Sequence, residues 1–167
     1  NFASACFCIL ATGAIYGLKP AKIIENIKIL LNNPNFFDKK EEIKYYQDKV
    51  KDLILNEIKR YENSTDDVDS WYYFTGEKNV YRQMGFYVHA FRLTLYYLYY
   101  FDKINEDKEN GYTKYRVIMN QICSFGGDTD TNAAIVGAVI GPLIGYKNFG
   151  DEEFKQMLSI VSRERYI

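Results

Sequence analysis

The sequence predicts an all-α protein, a compact bundle of about seven helices. Apolar residues recur at spacings of three and four along most of the chain, the period of a helix that buries one face. No convincing run of alternating polar and apolar residues, the pattern typical of strands, interrupts them. With 167 residues, the chain is long enough for one well-filled core and too short for two generous domains, so residues 1–167 are predicted to form a single domain.

Three helices are predicted in the amino-terminal part of the chain. The stretch from Phe2 to Leu18 is apolar but has no basic leading segment, which favours a buried core helix over a signal peptide. Pro20 is placed in the first turn of a second helix, which ends at Asn32. The third helix is predicted over Lys39 to Tyr61, where Lys and Glu occupy the outer face.

The remaining elements follow from changes in composition. Asn, Ser, Asp and Gly between Glu62 and Met84 predict an ordered but irregular loop. Residues Gly85 to Phe101 are apolar on nearly every side, which predicts a central helix surrounded by others. Thr113 can cap the next helix, an apolar helix follows residue 132, and Asp151 can cap a last helix.

Composition excludes several classes of partner. Lys and Arg total 21 against 22 Asp and Glu, so the chain lacks the basic surface that binds nucleic acid. The apolar stretch from Ala133 to Tyr146 has 14 residues, fewer than the roughly 20 that cross a bilayer, so no membrane partner is predicted. Three cysteines, an odd number, indicate reduced thiols and a cytoplasmic location.

The motif GGDTDTNAAIVGAVIG, residues 126–141, places two carboxylates directly before an apolar helix. Gly126 and Gly127 permit backbone conformations closed to other residues. If the following loop is extended, Asp128 and Asp130 point the same way and repel each other unless a proton or a cation lies between them. Oxygen ligands of this kind suit Mg²⁺, Mn²⁺ or Ca²⁺, so the motif predicts a site for a hard divalent cation.

Three other interpretations explain less of this motif. Asp130 or Thr131 could simply cap the next helix, which would leave the second carboxylate and the paired glycines unexplained. An EF-hand loop would need Gly and Glu where this sequence has Ala133 and Val139. A haloacid-dehalogenase phosphatase motif would follow an apolar strand and carry Thr or Val at the position of Asn132.

The long motif resembles the carboxy-terminal metal motif of the ADP-ribosylglycohydrolases, the family that includes the dinitrogenase reductase-activating glycohydrolases and the J-type crystallins. The resemblance continues through glycines 137, 141 and 145, one every fourth residue, which would let another helix pack closely. GFYVHAFRLTLYYL, residues 85–98, and ASACFCILATGAIYGLKPAKIIENI, residues 3–27, are similar to two further segments of the family.

The resemblance implies an all-helical fold and a cleft with two Mg²⁺ ions, or Mn²⁺ in their place. These ions hold the ribose hydroxyls of an ADP-ribosyl group while water cleaves the bond from ribose C1 to a protein side chain or another acceptor. Asp128, Asp130 and Thr131 match the family's metal ligands. Asn132 is expected to support the carboxylates, and Thr129 to point away from them. The implied partner is an ADP-ribosylated protein or an ADP-ribose conjugate.

Residues around the motif are candidates for substrate binding. Gly126 and Gly127 would lie against the substrate, and Tyr87 and His89 in the preceding similar segment could line the cleft. The alternative for these two side chains is packing in the core. Arg92, within an apolar helix, must pair or reach water, and could meet the acidic loop or a phosphate.

Two features of the family have no match in this sequence. A second metal cluster of the form TDDT and a glycine-rich diphosphate-binding segment both precede, in the family, the segments found here. STDDVDS at residues 64–70 imitates the first, but Val68 replaces its last Thr, which favours a solvated turn. We therefore expect the carboxy-terminal portion of a longer domain, with part of the metal site and very low activity alone.

Two alternatives to an active hydrolase stay open at this point. One is a catalytically silent relative that binds ADP-ribose or serves a structural role, as the crystallins suggest, and the other is a plain helical interaction domain. A further local expectation concerns Pro142, because proline is costly inside a helix. It is predicted to kink or end the last apolar helix near Gly141.

Overall fold

A computed structural model describes residues 2–36, 40–64, 69–77, 79–80, 87–150 and 159. No β-strand occurs in these ranges, so the predicted all-α fold is confirmed. The predicted last helix after residue 150 lies outside the described residues, apart from residue 159. The six α-helices of the described ranges are α1 (Phe2–Ile15), α2 (Pro20–Leu31), α3 (Glu41–Asn63), α4 (Tyr87–Tyr99), α5 (Lys114–Ser124) and α6 (Thr129–Ile144).

Helices α2 and α3 each place one apolar face on the core. Pro20 is the first residue of α2, where its fixed φ suits the helix and its missing N–H costs nothing. The apolar residues of both helices recur at spacings of three and four, so they share one face. The buried residues of the two faces are Ile23, Ile24, Ile27, Leu31, Val50, Ile54, Ile58 and Tyr61.

Helix α4 is the central helix that its composition predicts. Ten of its 13 residues are buried, and it contacts α2, α3 and α6. Helix α6 contacts α1, α4 and α5. The helix that begins at the acidic motif is thus packed against the central helix α4.

Helix α1 is less buried than predicted. Leu10 and Cys6 are fully buried, but Ser4, Cys8 and Ile15 lie on an exposed face. This face carries no charged side chain, which is why composition alone indicated complete burial. No helix among the described ranges combines the length and the hydropathy that crossing a bilayer requires.

The segment predicted as an irregular loop contains a helical turn. Residues Tyr72–Glu77 form a π-helical turn, and the Asp69 carboxylate accepts the N–H groups of Trp71 and Tyr72 at 2.9 and 3.3 Å. Within this segment, residues 65–68, 78 and 81–84 lie outside the described ranges, and they include most of the TDDT-like stretch. A single turn is too short for a helical period to show in the sequence.

Helix α6 continues through its proline. It ends at Ile144, three residues beyond the predicted end, and the N–H of Gly145 donates to the carbonyl of Gly141 at 3.0 Å. Pro142 lacks an N–H for the carbonyl four residues earlier, but only two helical residues follow it, so little of the helix is affected.

The glycine spacing in α6 serves two different purposes. A Cβ at Gly137 would lie 2.8 Å from the Tyr115 hydroxyl oxygen, so α5 packs closely here, as predicted. A Cβ at Gly141 would make only ordinary van der Waals contacts, 3.8 Å from the Tyr115 ring and 3.7 Å from the Phe149 ring. Gly145 would meet no atom within 4 Å and has a φ of +76°. It is therefore the left-handed residue that ends α6 rather than a packing glycine.

Candidate metal site at the start of helix α6

Two consecutive glycines turn the chain from α5 into α6. Gly126 and Gly127 have φ values of 74° and 75°, the left-handed region that the motif predicts. The N–H of Gly126 donates to the carbonyl of Cys123 at 3.3 Å, which closes the end of α5. A side chain at either glycine would cost about 1–2 kcal/mol in this conformation, so the turn depends on both.

Asp128 and Asp130 bring their carboxyl groups together after this turn. Asp128 is the residue before α6, and its side chain makes no capping hydrogen bond, while Asp130 lies in the first helical turn. The hydrogen bond from the Asp128 carboxyl is the main cause that lowers the pKa of Asp130, followed by the N–H groups of Thr131 and of Asp130 itself. Two carboxyl groups in contact need a proton or a cation between them.

The helix itself favours negative charge at this place. The free N–H groups and the dipole of α6 stabilise anions at its first turn. Asp130 and the exposed side chain of Thr131 lie within this turn, and Asp128 precedes it. Neither Asp130 nor Thr131 occupies the capping position, so simple capping by one of them does not describe the turn.

Asn132 connects the loop to the body of the helix. Its N–H donates to the carbonyl of Asp128 at 3.0 Å, and its side chain is buried. Asp128 is therefore fixed through its backbone while its carboxyl group contacts that of Asp130. Support of the carboxylates by the Asn132 side chain stays a prediction.

Phe125 anchors the loop from the other side and is absent from the residues predicted from the sequence. It is 2% exposed, and its ring centroid lies 5.2 Å from that of Phe74 and 6.1 Å from that of Trp71. The signal that could have found it is an aromatic residue directly before two glycines. Its partners come from the segment that looked like an irregular loop.

Tyr87 lines a cleft between α1, α4 and α6. The cleft has a volume of about 270 Å³, and the Tyr87 side chain is half exposed at its wall. Ile135, which also lines it, lies one helical turn after Thr131, so the cleft begins next to the acidic turn. The other lining residues are Ala3, Ser4, Phe7, Cys8, Ala90 and Phe91.

His89 and Arg92 lie away from this cleft. His89 is 7% exposed and is not among the described residues that line it, which fits the alternative of a packed helix residue. Its part in substrate binding stays a prediction. Arg92 pairs with the buried carboxylate of Glu57 at 2.7 Å. The need of Arg92 for a partner is thus met in α3 rather than at the acidic loop.

The donor set fits a hard divalent cation but is incomplete by itself. Two carboxylates and a hydroxyl match the oxygen preference of Mg²⁺, which also keeps several water ligands. Within the described ranges, no group of three or more His, Cys, Asp or Glu side chains is arranged to hold a metal ion. Asp128, Asp130 and Thr131 would therefore supply only one side of such a site, and other ligands would have to complete it.

Comparison with known proteins gives one match. A family model described as ADP-ribosylglycohydrolase matches residues 2–162, a range that includes all six helices and the acidic turn. No curated protein and no solved structure matches the chain.

Proposed function

Because the chain belongs to the ADP-ribosylglycohydrolase family, we propose that it carries part of the Mg²⁺-dependent active site of a hydrolase for ADP-ribosyl groups. The proposed reaction cleaves the bond between ribose C1 and a protein side chain or another acceptor. Its substrate is then an ADP-ribosylated protein or a smaller ADP-ribose conjugate. The observation that carries the proposal is the contact between the Asp128 and Asp130 carboxyl groups directly after two left-handed glycines.

Asp128, Asp130 and Thr131 are the proposed metal ligands. When bound, Mg²⁺, or Mn²⁺ in its place, would orient the ribose hydroxyls and polarise a water molecule. The two carboxylates would supply the negative charge that such an ion requires. The pKa of Asp130 is lowered first by the hydrogen bond from the Asp128 carboxyl and then by the N–H groups of Thr131 and of Asp130 itself, so Asp130 favours its charged form. The buried Asn132 would hold the turn in place behind them.

The neighbouring cleft is the proposed place for part of the conjugate. Gly126 and Gly127 have no side chains, so a substrate could approach the backbone closely. The half-exposed ring of Tyr87 offers a face on which an aromatic base could stack. All three cysteines are free, which fits a reducing compartment such as the cytoplasm, and we propose that location.

Titration calorimetry with Mg²⁺ tests the metal site directly. The change Asp130→Ala removes one carboxylate and is expected to weaken Mg²⁺ binding by roughly tenfold or more. Asp102→Ala is the matched control, because Asp102 is also an exposed aspartate in the first turn of a helix but lies outside the site. Equal Mg²⁺ affinity in both variants and the wild type would contradict the proposal.

The reaction is tested with the intact protein, because very low activity is expected of this chain alone, by the release of ADP-ribose from an ADP-ribosylated protein in Mg²⁺. Turnover that is lost in Asp130→Ala and kept in Asp102→Ala supports the hydrolase. Binding of Mg²⁺ and ADP-ribose without turnover in the intact protein would instead indicate a catalytically silent relative. An absence of heat with either ligand would indicate a helical interaction domain.

A further inference from the structure

A buried carboxylate on α3 fixes the π-helical turn Tyr72–Glu77 to the core. Glu57 is 5% exposed, and the Tyr73 hydroxyl of the turn donates to it. The same carboxylate accepts hydrogen bonds from Nε of Arg92 at 2.7 Å and from the hydroxyl of Tyr61 at 3.4 Å. Donors from the turn, from α3 and from α4 thus meet at one buried charge, which holds the three elements in a single arrangement.

The same turn holds Phe125, the residue that precedes Gly126. Phe74 follows Tyr73 in the turn, is fully buried, and places its ring centroid 5.2 Å from that of Phe125. Trp71, just before the turn, also packs near Phe125, with their ring centroids 6.1 Å apart. Because buried aromatic rings pack with specific geometry, a displacement of the turn would displace Phe125.

The acidic loop depends on its two ends for its position. Gly126 and Gly127 have φ values of 74° and 75° and no side chains that could anchor the backbone. One end is fixed by Phe125, and the other by the bond from the Asn132 N–H to the Asp128 carbonyl at 3.0 Å. The position of Phe125 therefore affects where the Asp128 carboxyl group lies.

We propose that the π-helical turn positions the loop that carries Asp128 and Asp130, and that Tyr73 and Glu57 are positioning residues for the metal site. This inference rests on the proposed function of the loop. Insertions of π-helical geometry occur frequently at functional sites, and this turn reaches the site through the packing of the Phe74 ring on Phe125. Supporting interactions of this kind tune a metal site without contributing a ligand.

Two conservative variants separate positioning from general stability. Tyr73→Phe and Tyr61→Phe each remove one hydroxyl from the same Glu57 carboxylate and keep the aromatic ring, but only Tyr73 belongs to the π-helical turn. The readout is the amide resonances of Gly126 and Gly127 by NMR, first in metal-free protein and then during a Mg²⁺ titration. The melting temperature of each variant is measured alongside.

Tyr73→Phe is expected to shift both glycine resonances in the metal-free protein and to weaken Mg²⁺ binding by roughly tenfold. Tyr61→Phe should leave the resonances and the Mg²⁺ affinity as in the wild type, even if its melting temperature falls. Phe74→Leu removes the ring contact with Phe125 and keeps the Glu57 hydrogen bonds. It should also weaken Mg²⁺ binding.

Wild-type resonances and Mg²⁺ affinity in Tyr73→Phe, whatever its melting temperature, would overturn the positioning role. Unchanged Mg²⁺ affinity in Phe74→Leu would overturn the route through Phe125. Failure of the proposed function looks different, because the glycine resonances of the wild-type chain would then not respond to Mg²⁺ at all. The comparison in metal-free protein would still decide whether Tyr73 positions the loop.

Discussion

Asp128 and Asp130 are held in contact by the conformations of the residues around them. Two left-handed glycines precede the start of α6, and the hydrogen bond from the Asp128 carboxyl, followed by N–H groups of the first turn, lowers the pKa of Asp130. Asp130 is exposed and Asp128 is only partly buried, so neither carboxylate needs a buried counter-charge to compensate for lost hydration. Their closeness is therefore a local property of the turn, and it is the property that a cation would use.

Gly137 allows α5 to approach α6, and its replacement tests that contact. Alanine has a helix propensity about 1 kcal/mol better than glycine. Gly137→Ala is nevertheless expected to destabilise the protein, because the new Cβ would lie 2.8 Å from the Tyr115 hydroxyl oxygen. In a Tyr115→Phe background the same change should be neutral or stabilising, as measured by urea unfolding. An equal loss of stability in both backgrounds would contradict this explanation.

Cys6 predicts a loss of stability at alkaline pH. Burial raises the pKa of its thiol from the ordinary value of 9.0 to about 11. The thiol therefore ionises at lower pH in the unfolded chain than in the folded one, so stability is kept below pH 9.0 and declines as pH rises towards about 11. Urea unfolding across this range should show a decline that is steeper in the wild type than in Cys6→Ala. Parallel curves would mean that Cys6 contributes nothing to the pH dependence.

At the scale of elements, two sets of buried contacts tie the segment predicted as an irregular loop to the core. The Glu57 carboxylate joins α3 and α4 to the π-helical turn, and the Phe74 ring joins this turn to the acidic motif. Burial and the hydrogen bond to Glu57 raise the pKa of Tyr73 above its ordinary value of 10.0, so its hydroxyl stays a donor at alkaline pH values where an exposed tyrosine would ionise. The turn is short, but its side chains are part of the core.

The ion pair between Glu57 and Arg92 is expected to matter more than the surface pair between Lys28 and Glu62. Arg92→Met leaves a buried carboxylate without its cation, which should cost about 3–5 kcal/mol of unfolding free energy. Lys28→Met breaks a pair of similar length, 2.6 Å, whose side chains are 38% and 42% exposed, and should cost less than about 1 kcal/mol. Chemical denaturation of both variants would measure the difference, and equal losses would contradict it.

An element could be predicted from the sequence when it is determined by residues close to one another in the chain. The apolar periods of α2 and α3 and the cap at Thr113, whose hydroxyl accepts the Arg116 N–H at 3.3 Å, are properties of a few turns, and the sequence predicted them. The left-handed glycines were predictable because few other residues adopt that conformation. The contacts of Phe125 and Arg92 join segments more than 30 residues apart in the sequence, and no local pattern records them.

For the molecule as a whole, the proposed site is attached to its most constrained helices. Helix α6 carries the acidic turn and packs on α1, α4 and α5, and α4 is buried along most of its length. A ligand site on a rigid element keeps its geometry better than one on a free loop. The cleft beside Tyr87 lies between the same helices, so a ligand in the cleft and an ion at the turn would share one framework.

Mg²⁺ is expected to stabilise the folded protein through this framework. A ligand that binds only the folded state adds about 2.7 kcal/mol at a hundredfold excess over its Kd. Thermal unfolding of the wild type should therefore shift upward in Mg²⁺ relative to NaCl of equal ionic strength, whereas Asp128→Asn should show no such shift. A similar gain in both proteins would point to a general effect of the salt.

Trp71 has a use that follows from its contact with Phe125. It is the sole tryptophan of the sequence, and its indole is half exposed while its ring centroid lies 6.1 Å from that of Phe125. Its ultraviolet emission therefore comes from a single known place in the molecule. Trp71 is thus an intrinsic fluorophore beside the turn, so rearrangements there can be followed in real time without chemical labelling.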